Sequence, residues 1–410
     1  MTKDVEDPAA PDAPSRPSNT RLLGQLSFLS GTAQEMVYPL IPTFVVITLG
    51  SSKTLLGVVE GMLALGVTVA RLGSARAMDR GISPRRLLVG SYTASLLSRP
   101  LLAIAPNFAA VGVLRSIDGL GKGGKDAPKD SLVALDAGDA RAGRAFGVLR
   151  ALDTAGSVAG PVIAGLLLLW LGHGERGLRI VFALAAIPAI AGLWTLRQVR
   201  DAPAAVVLDR DTPRPPLPRS FKILLVAALI FGLANSSDTL LLLRASSAGL
   251  SAAQLAFAYA LVNLVYALLA VPLGSLSDQI GRRPLLLAAW GTYVLVYAGF
   301  AGANQAWQLV VLFALYGVYF AAADGVVKAW IADLVPPERR GAAYGLYAAA
   351  AGLLVLPASV LAGGLWDSVG PGWAFGVGSG VAAVALAVVA ISPALRRPAR
   401  AAVLPDASGP

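Results

Sequence analysis

Gly274-Ser275-Leu276-Ser277-Asp278-Gln279-Ile280-Gly281-Arg282-Arg283 is a short charged turn wedged between two long apolar runs. Charge confined in this way marks a membrane edge, because cationic side chains hold a loop on one face of the bilayer while the apolar runs cross it. A weaker copy, Ala75-Arg76-Ala77-Met78-Asp79-Arg80-Gly81 followed by Arg85 and Arg86, lies about 200 residues upstream. Two such stretches in matching places point to a duplicated helical bundle with a path between its halves.

Composition agrees. The 410 residues are 56% hydrophobic and 14% charged, and the mean hydropathy is +0.66. A soluble domain carries roughly a quarter charged residues. The net charge of +10 is spread over short loops, which argues against nucleic-acid binding and for a lipid bilayer as the partner. The absence of cysteine excludes disulfides and thiolate chemistry. The single histidine, His173, sits in a short turn without partners for a metal. No HExxH, Walker A or Ser/His/Asp constellation is visible, so neither an enzyme nor a cofactor site is expected.

About twelve apolar runs are long enough to cross ~30 Å as helices. They fall near 22–49, 54–75, 86–106, 108–128, 145–171, 178–196, 221–243, 254–273, 284–302, 306–333, 342–365 and 372–392. The expected organisation is all-α: a disordered tail over 1–20, six helices over 21–200, a Pro-, Asp- and Arg-rich linker over 201–219, six helices over 220–395, and a second tail over 396–410. Arg80, Arg85, Arg86, Arg141, Arg144, the linker arginines, Arg282, Arg283, Arg339 and Arg340 all fall on one side, which predicts both termini in the cytoplasm. Arg141-Ala142-Gly143-Arg144-Ala145-Phe146-Gly147 repeats as Arg339-Arg340-Gly341-Ala342-Ala343-Tyr344-Gly345 at a similar offset.

With these features the chain resembles the major facilitator superfamily over nearly its whole length. Gly274-x-x-x-Asp278-x-x-Gly281-Arg282-Arg283 is similar to the signature loop of each half, although Gln279 stands where a basic residue is common. The upstream copy departs further, with Ala75 for the glycine and a stretched spacing from Asp79 to Arg85. Arg115-x-x-Asp118-Gly119-x-Gly121 resembles the family's Arg-x-x-Gln-Gly-x-Gly, with Asp for Gln. Gly156-x-x-x-Gly160-Pro161-x-x-Ala164-Gly165 resembles the motif of the antiporter branches. The resemblance implies two pseudo-symmetric six-helix bundles, alternating access, proton-coupled export of a small organic molecule, and a monomer in the plasma (inner) membrane. Import or uniport of a polar metabolite or metal chelate is the alternative. It also implies that the first, fourth, seventh and tenth helices line a central cavity.

Ionisable residues inside apolar runs are costly, by a few kcal/mol or more each at the bilayer centre, and so mark function. Glu35 in the first run and Asp238 in the seventh, after Asn235, occupy related places and have no basic partner in their own turn. A carboxylate in low dielectric favours its neutral form, as proton exchange requires. These two are the leading proton or substrate acids, with Arg115 and Asp118 modulating and Tyr38 as a cavity wall. Asp324 and Lys328 at i,i+4, Arg150 and Asp153 at i,i+3, and Asn235 are further candidates for proton coupling or substrate binding, and the two charge pairs can also bridge on their own helices. Asp79, Arg80, Gly274, Asp278, Gly281, Arg282 and Arg283 are candidates for a latch that clamps helix ends and the opposite half. Gly156 and Gly160 permit close helix approach, and Pro161 is expected to bend its helix.

Overall fold

The computed structural model describes residues 18–137, 142–201 and 216–395. Most of the expected first tail and linker, and the second tail, lie outside these residues; Asn19 and Thr20, expected in the first tail, already belong to a helix. What is described is helical, with no strand.

The helices are α1 (Asn19–Val37, continued by turns at Tyr38–Leu40 and Thr43–Thr48), α2 (Lys53–Asp79), α3 (Pro84–Leu101), α4 (Phe108–Ala137), α5 (Ala142–Leu171) and α6 (Glu175–Gln198). The second series is α7, in two pieces (Arg219–Ala234 and Asp238–Ser247), α8 (Ala252–Ile280), α9 (Arg282–Gly302), α10 (Ala306–Leu334), α11 (Pro337–Val369) and α12 (Pro371–Ile391). Ser52, Ser83 and Ser251 cap the starts of α2, α3 and α8 by accepting from free backbone N–H groups. Ten of these spans are apolar and long enough to cross a membrane. The exceptions are α1, whose regular helix stops at Val37, and α4, which carries Arg115, Asp118, Lys122, Lys125, Asp126, Lys129 and Asp130.

One expectation needs correction. The helices overrun the apolar runs: α4 continues to Ala137 rather than ending near 128, and α8 continues to Ile280. Backbone hydrogen bonds satisfied within a helix need no apolar side chains, so the helix outlasts the hydrophobic signal. Asp278 therefore sits in the last turn of a helix. The turn is Gly281 alone, at φ 93° and ψ 157°, a conformation open essentially to glycine. α5 runs helical through Pro161 to Leu171.

The two halves have different interiors. The second packs aromatic rings: Phe231 stacks on Trp290 at 4.5 Å and Tyr293 on Tyr297 at 4.2 Å. The first holds buried ions, described below. The halves meet along α2 with α11 and α5 with α8. The α2–α11 seam begins at Asp367, which accepts from the backbone N–H of Thr54 at 2.9 Å and its hydroxyl at 2.7 Å, and pairs with Lys53 at 3.2 Å. Small residues keep it tight, since a Cβ at Gly57, Gly61 or Gly363 would strike the other helix. It reaches Thr68 and Gly352. Beyond them, a Cβ added at Gly345 or Gly341 would meet nothing within 4 Å. The described packing of this seam thus runs from the end bearing Asp367 (the distal end) to Gly352 and stops short of the end from which the linker leaves.

Candidate functional site

The site forms where α1 and α7 break. In α1, Pro39 lacks the N–H that an α-helix would use, and the chain tightens at Tyr38–Leu40 just after Glu35. In α7, the helix stops at Ala234 and restarts at Asp238, with Ser237 capping the new helix. Neighbours satisfy the unwound backbone: Ser359 of α11 accepts from Ser237 N–H at 2.9 Å, and Tyr293 of α9 donates to the Ala234 carbonyl at 2.9 Å. Broken helices at matching points of two halves are where transport proteins build ligand sites.

Between the breaks lies a cavity of about 270 Å³ lined from both halves. Glu35, Gln34 and Tyr38 come from α1, Glu60 from α2, Lys122 from α4, Asn235 to Asp238 from α7 and Tyr259 from α8. Gln34 donates to Glu35 Oε1 at 2.6 Å, while the buried Oε2 has no hydrogen-bond partner. Tyr316 donates to Asp238 at 2.7 Å. The rings of Tyr38 and Tyr259 face each other across the halves at 5.1 Å. Behind Glu35, Gly160 lets α5 approach α1, and Gly156 does so against Phe28, because a Cβ at either would strike the α1 backbone.

Arg115 and Asp118 belong to a network beside the cavity. Arg115 forks onto Glu60 with contacts of 2.8 Å to both oxygens and lies 3.4 Å from Asp118. Asp118 is held mainly by Arg99 at 3.0 Å and Ser95 at 2.5 Å. Arg99 also donates to the Ser30 carbonyl of α1 at 2.8 Å. All four charged groups are at most 3% exposed. Two cations and two anions cancel, with arginine forks in bidentate geometry. The i,i+3 spacing of Arg115 and Asp118 is the weaker link, and the stronger partners come from α2 and α3. Ser237 lies 3.4 Å from Glu60, so the network touches the break in α7.

Arg150, Asp324 and Lys328 line a second cavity of about 280 Å³ toward the linker end. Lys328 pairs with Asp324 at 2.7 Å as the spacing predicts. Arg150 lies 3.9 Å from Asp153 on its own helix but reaches across to Tyr266 at 2.6 Å and Asp324 at 3.5 Å. This group joins the halves rather than forming two separate local pairs.

Among the described contacts, the latch candidates Asp278, Arg282 and Arg283 bind within the second half. Arg282 pairs with Asp278 at 2.5 Å and with Asp333 of α10 at 3.1 Å, and Arg283 donates to the last carbonyls of α12. In the first half Arg85 donates to Val199 at 2.6 Å, at the end of α6. Arg80 is the C-cap residue of α2, and open space surrounds Gly274.

Sequence reasoning passed over Lys122, Lys125 and Lys129. Their signal is legible in retrospect: Arg115, Asp118, Lys122, Lys125 and Lys129 recur at alternating steps of three and four, one face of a helix.

Comparison with known proteins follows this geometry. The sequence profile described as Major Facilitator Superfamily matches twice, over residues 24–245 and 223–408. An uncharacterised MFS-type transporter of Methanocaldococcus jannaschii is 29% identical over 372 residues, 89% of this chain and 92% of the relative. Multidrug resistance protein MdtG of Enterobacter lignolyticus is 27% identical over 321 residues, 73% of each chain. Among solved structures, the nucleoside transporter NupG superposes with a TM-score of 0.74 at 13% identity, covering 91% of this chain and 98% of that one.

Proposed function

This chain belongs to the Major Facilitator Superfamily, and on that premise we propose that it exports a small organic molecule against proton entry, by alternating access between its two halves. It is a transporter and an integral membrane protein. The observation that carries the further reading is the placement of Glu35 and Asp238 on one cavity, each beside a break in its helix. Neither carboxylate is in an ion pair within 4 Å among the described residues, whereas Glu60 and Asp118 are clamped by arginines. An acid free of such a clamp can take a proton from one side and release it to the other. The relatives named multidrug resistance proteins support the outward direction. The arginines at the linker end support a cytoplasmic location for that end and for both termini. Substrate then enters from that side.

The test uses purified protein in proteoliposomes with an imposed pH gradient and a trapped pH dye. Glu35→Gln and Asp238→Asn should each abolish gradient-driven transport, and unchanged transport in both would remove these acids from the mechanism. A second reading, uptake of a polar or zwitterionic metabolite, is favoured by Lys122 lining the same cavity as Glu35, which offers charges of both signs. Substrate flux in vesicles of known orientation separates the two.

A further inference from the structure

We infer that the transported molecule is a small organic anion, whose carboxylate or phosphate group is received by Lys122 on the inner face of α4. This rests on the transport reading above and names the substrate class for the same cavity.

Lys122 lies near the middle of α4 and lines the cavity. Lys125 and Lys129 follow at helical spacing, so each step moves about 5 Å toward the linker end. None of the three is in an ion pair among the described residues, and Lys122 and Lys129 make no hydrogen bond there through their side chains. Lys125 has only Ser30 Oγ at 3.5 Å and the Tyr92 ring at 4.8 Å. The lipid-facing side of α4 carries Val113, Ile117 and Leu120. The lysines lie on another face, so they do not reach for lipid headgroups at mid-helix.

The contrast on the same helix is chemical. Arg115 and its partner Arg99 of α3 are locked to Glu60 and Asp118, fixed forks in fixed geometry. Lys122 is a flexible point charge with three donors, suited to taking up and releasing a ligand rather than pinning it. Charge balance points the same way. The arginine network is neutral, and Arg150 and Lys328 are offset by Asp153 and Asp324. What remains on the cavity wall is Lys122 facing two acids, Glu35 and Asp238. Once those acids are protonated, Lys122 is the unanswered charge of the cavity, and an anion supplies the missing partner. Tyr38 and Tyr259 offer rings to the uncharged part of the same molecule.

The experiment screens the purified full chain by thermal unfolding in detergent. One set of probes is small mono- and dicarboxylates and phosphate monoesters, and the other is primary and quaternary amines of matched size. Anions should raise the unfolding temperature and amines should not. For each stabilising anion, Lys122→Gln should weaken the apparent affinity by about tenfold or more. Lys122→Arg, which keeps the charge, should retain binding and shows that the site rather than the fold was lost. Stabilisation by amines alone, by neither set, or by anions with unchanged affinity in Lys122→Gln overturns the inference. Proton flux in proteoliposomes is read separately. Amines that bind and drive proton movement would uphold proton coupling and sink the anion site. Anions that bind through Lys122 without moving protons would do the reverse.

Discussion

At the scale of single residues, the buried carboxylates divide by partner. Glu60 and Asp118 hold arginines that are themselves buried, so removing either acid strands a cation in low dielectric. Glu60→Leu should cost about 3–5 kcal/mol of stability, read as a large fall in unfolding temperature in detergent. Glu35 holds only Gln34, and its second oxygen is unpartnered, so Glu35→Gln should unfold within a few degrees of the parent while losing pH-gradient-driven transport. Equal destabilisation by the two substitutions would show that Glu35 is structural. Composition and depth alone singled out Glu35 and Asp238. The partner of Arg115 was not legible, because the nearest acid in sequence, Asp118, is a poorer match in space than Glu60 of another helix.

At the scale of elements, the termini of helices carry the design. Gly281 forms the whole turn between α8 and α9 at a backbone conformation closed to other residues. Gly281→Ala should therefore cost about 1–3 kcal/mol, detectable as a lowered unfolding temperature, and an unaltered melt would mean that the turn can rearrange. The start of α2 is capped from the opposite half by Asp367, which accepts from Thr54 N–H and Oγ1. Any opening at the distal end must break these bonds. Asp367→Ala should raise the labelling rate of a cysteine placed at the buried Ser359 by a membrane-impermeant maleimide several-fold, by shifting the population toward the distally open state. A rate no different from the Ser359→Cys parent would leave Asp367 without a latching role. The break in α7 was invisible to hydropathy, since Asn235-Ser236-Ser237 is too brief to interrupt an apolar run.

At the scale of the whole molecule, two halves of one backbone design differ in what fills them. Ions centre the first half and stacked rings the second. The α2–α11 seam packs tightly toward the distal end, while Arg150 bridges to Asp324 nearer the linker end, so the proposed alternating access requires that seam to part. A disulfide between Thr54→Cys and Asp367→Cys should arrest transport on oxidation and release it on reduction. The native chain has no cysteine to confuse the result. Transport that persists in the fully oxidised protein would mean that the distal seam need not open.

The sequence by itself determined the solvent, the number of crossings and the duplication. Each of these follows from local composition, where twenty apolar residues span a bilayer and loop charges choose a side. The charged turn at Gly274 to Arg283 announced the repeat, and it survives as a helix end and a single glycine. Only the tertiary structure decided which charges meet. It gave Glu60 to Arg115, Arg99 to Asp118 and Asp324 to Arg150, and it left Lys122, Lys125 and Lys129 without an ionic partner among the described residues. Pairing is a property of distance in space, and residues on neighbouring helices come within 3 Å whatever their separation along the chain.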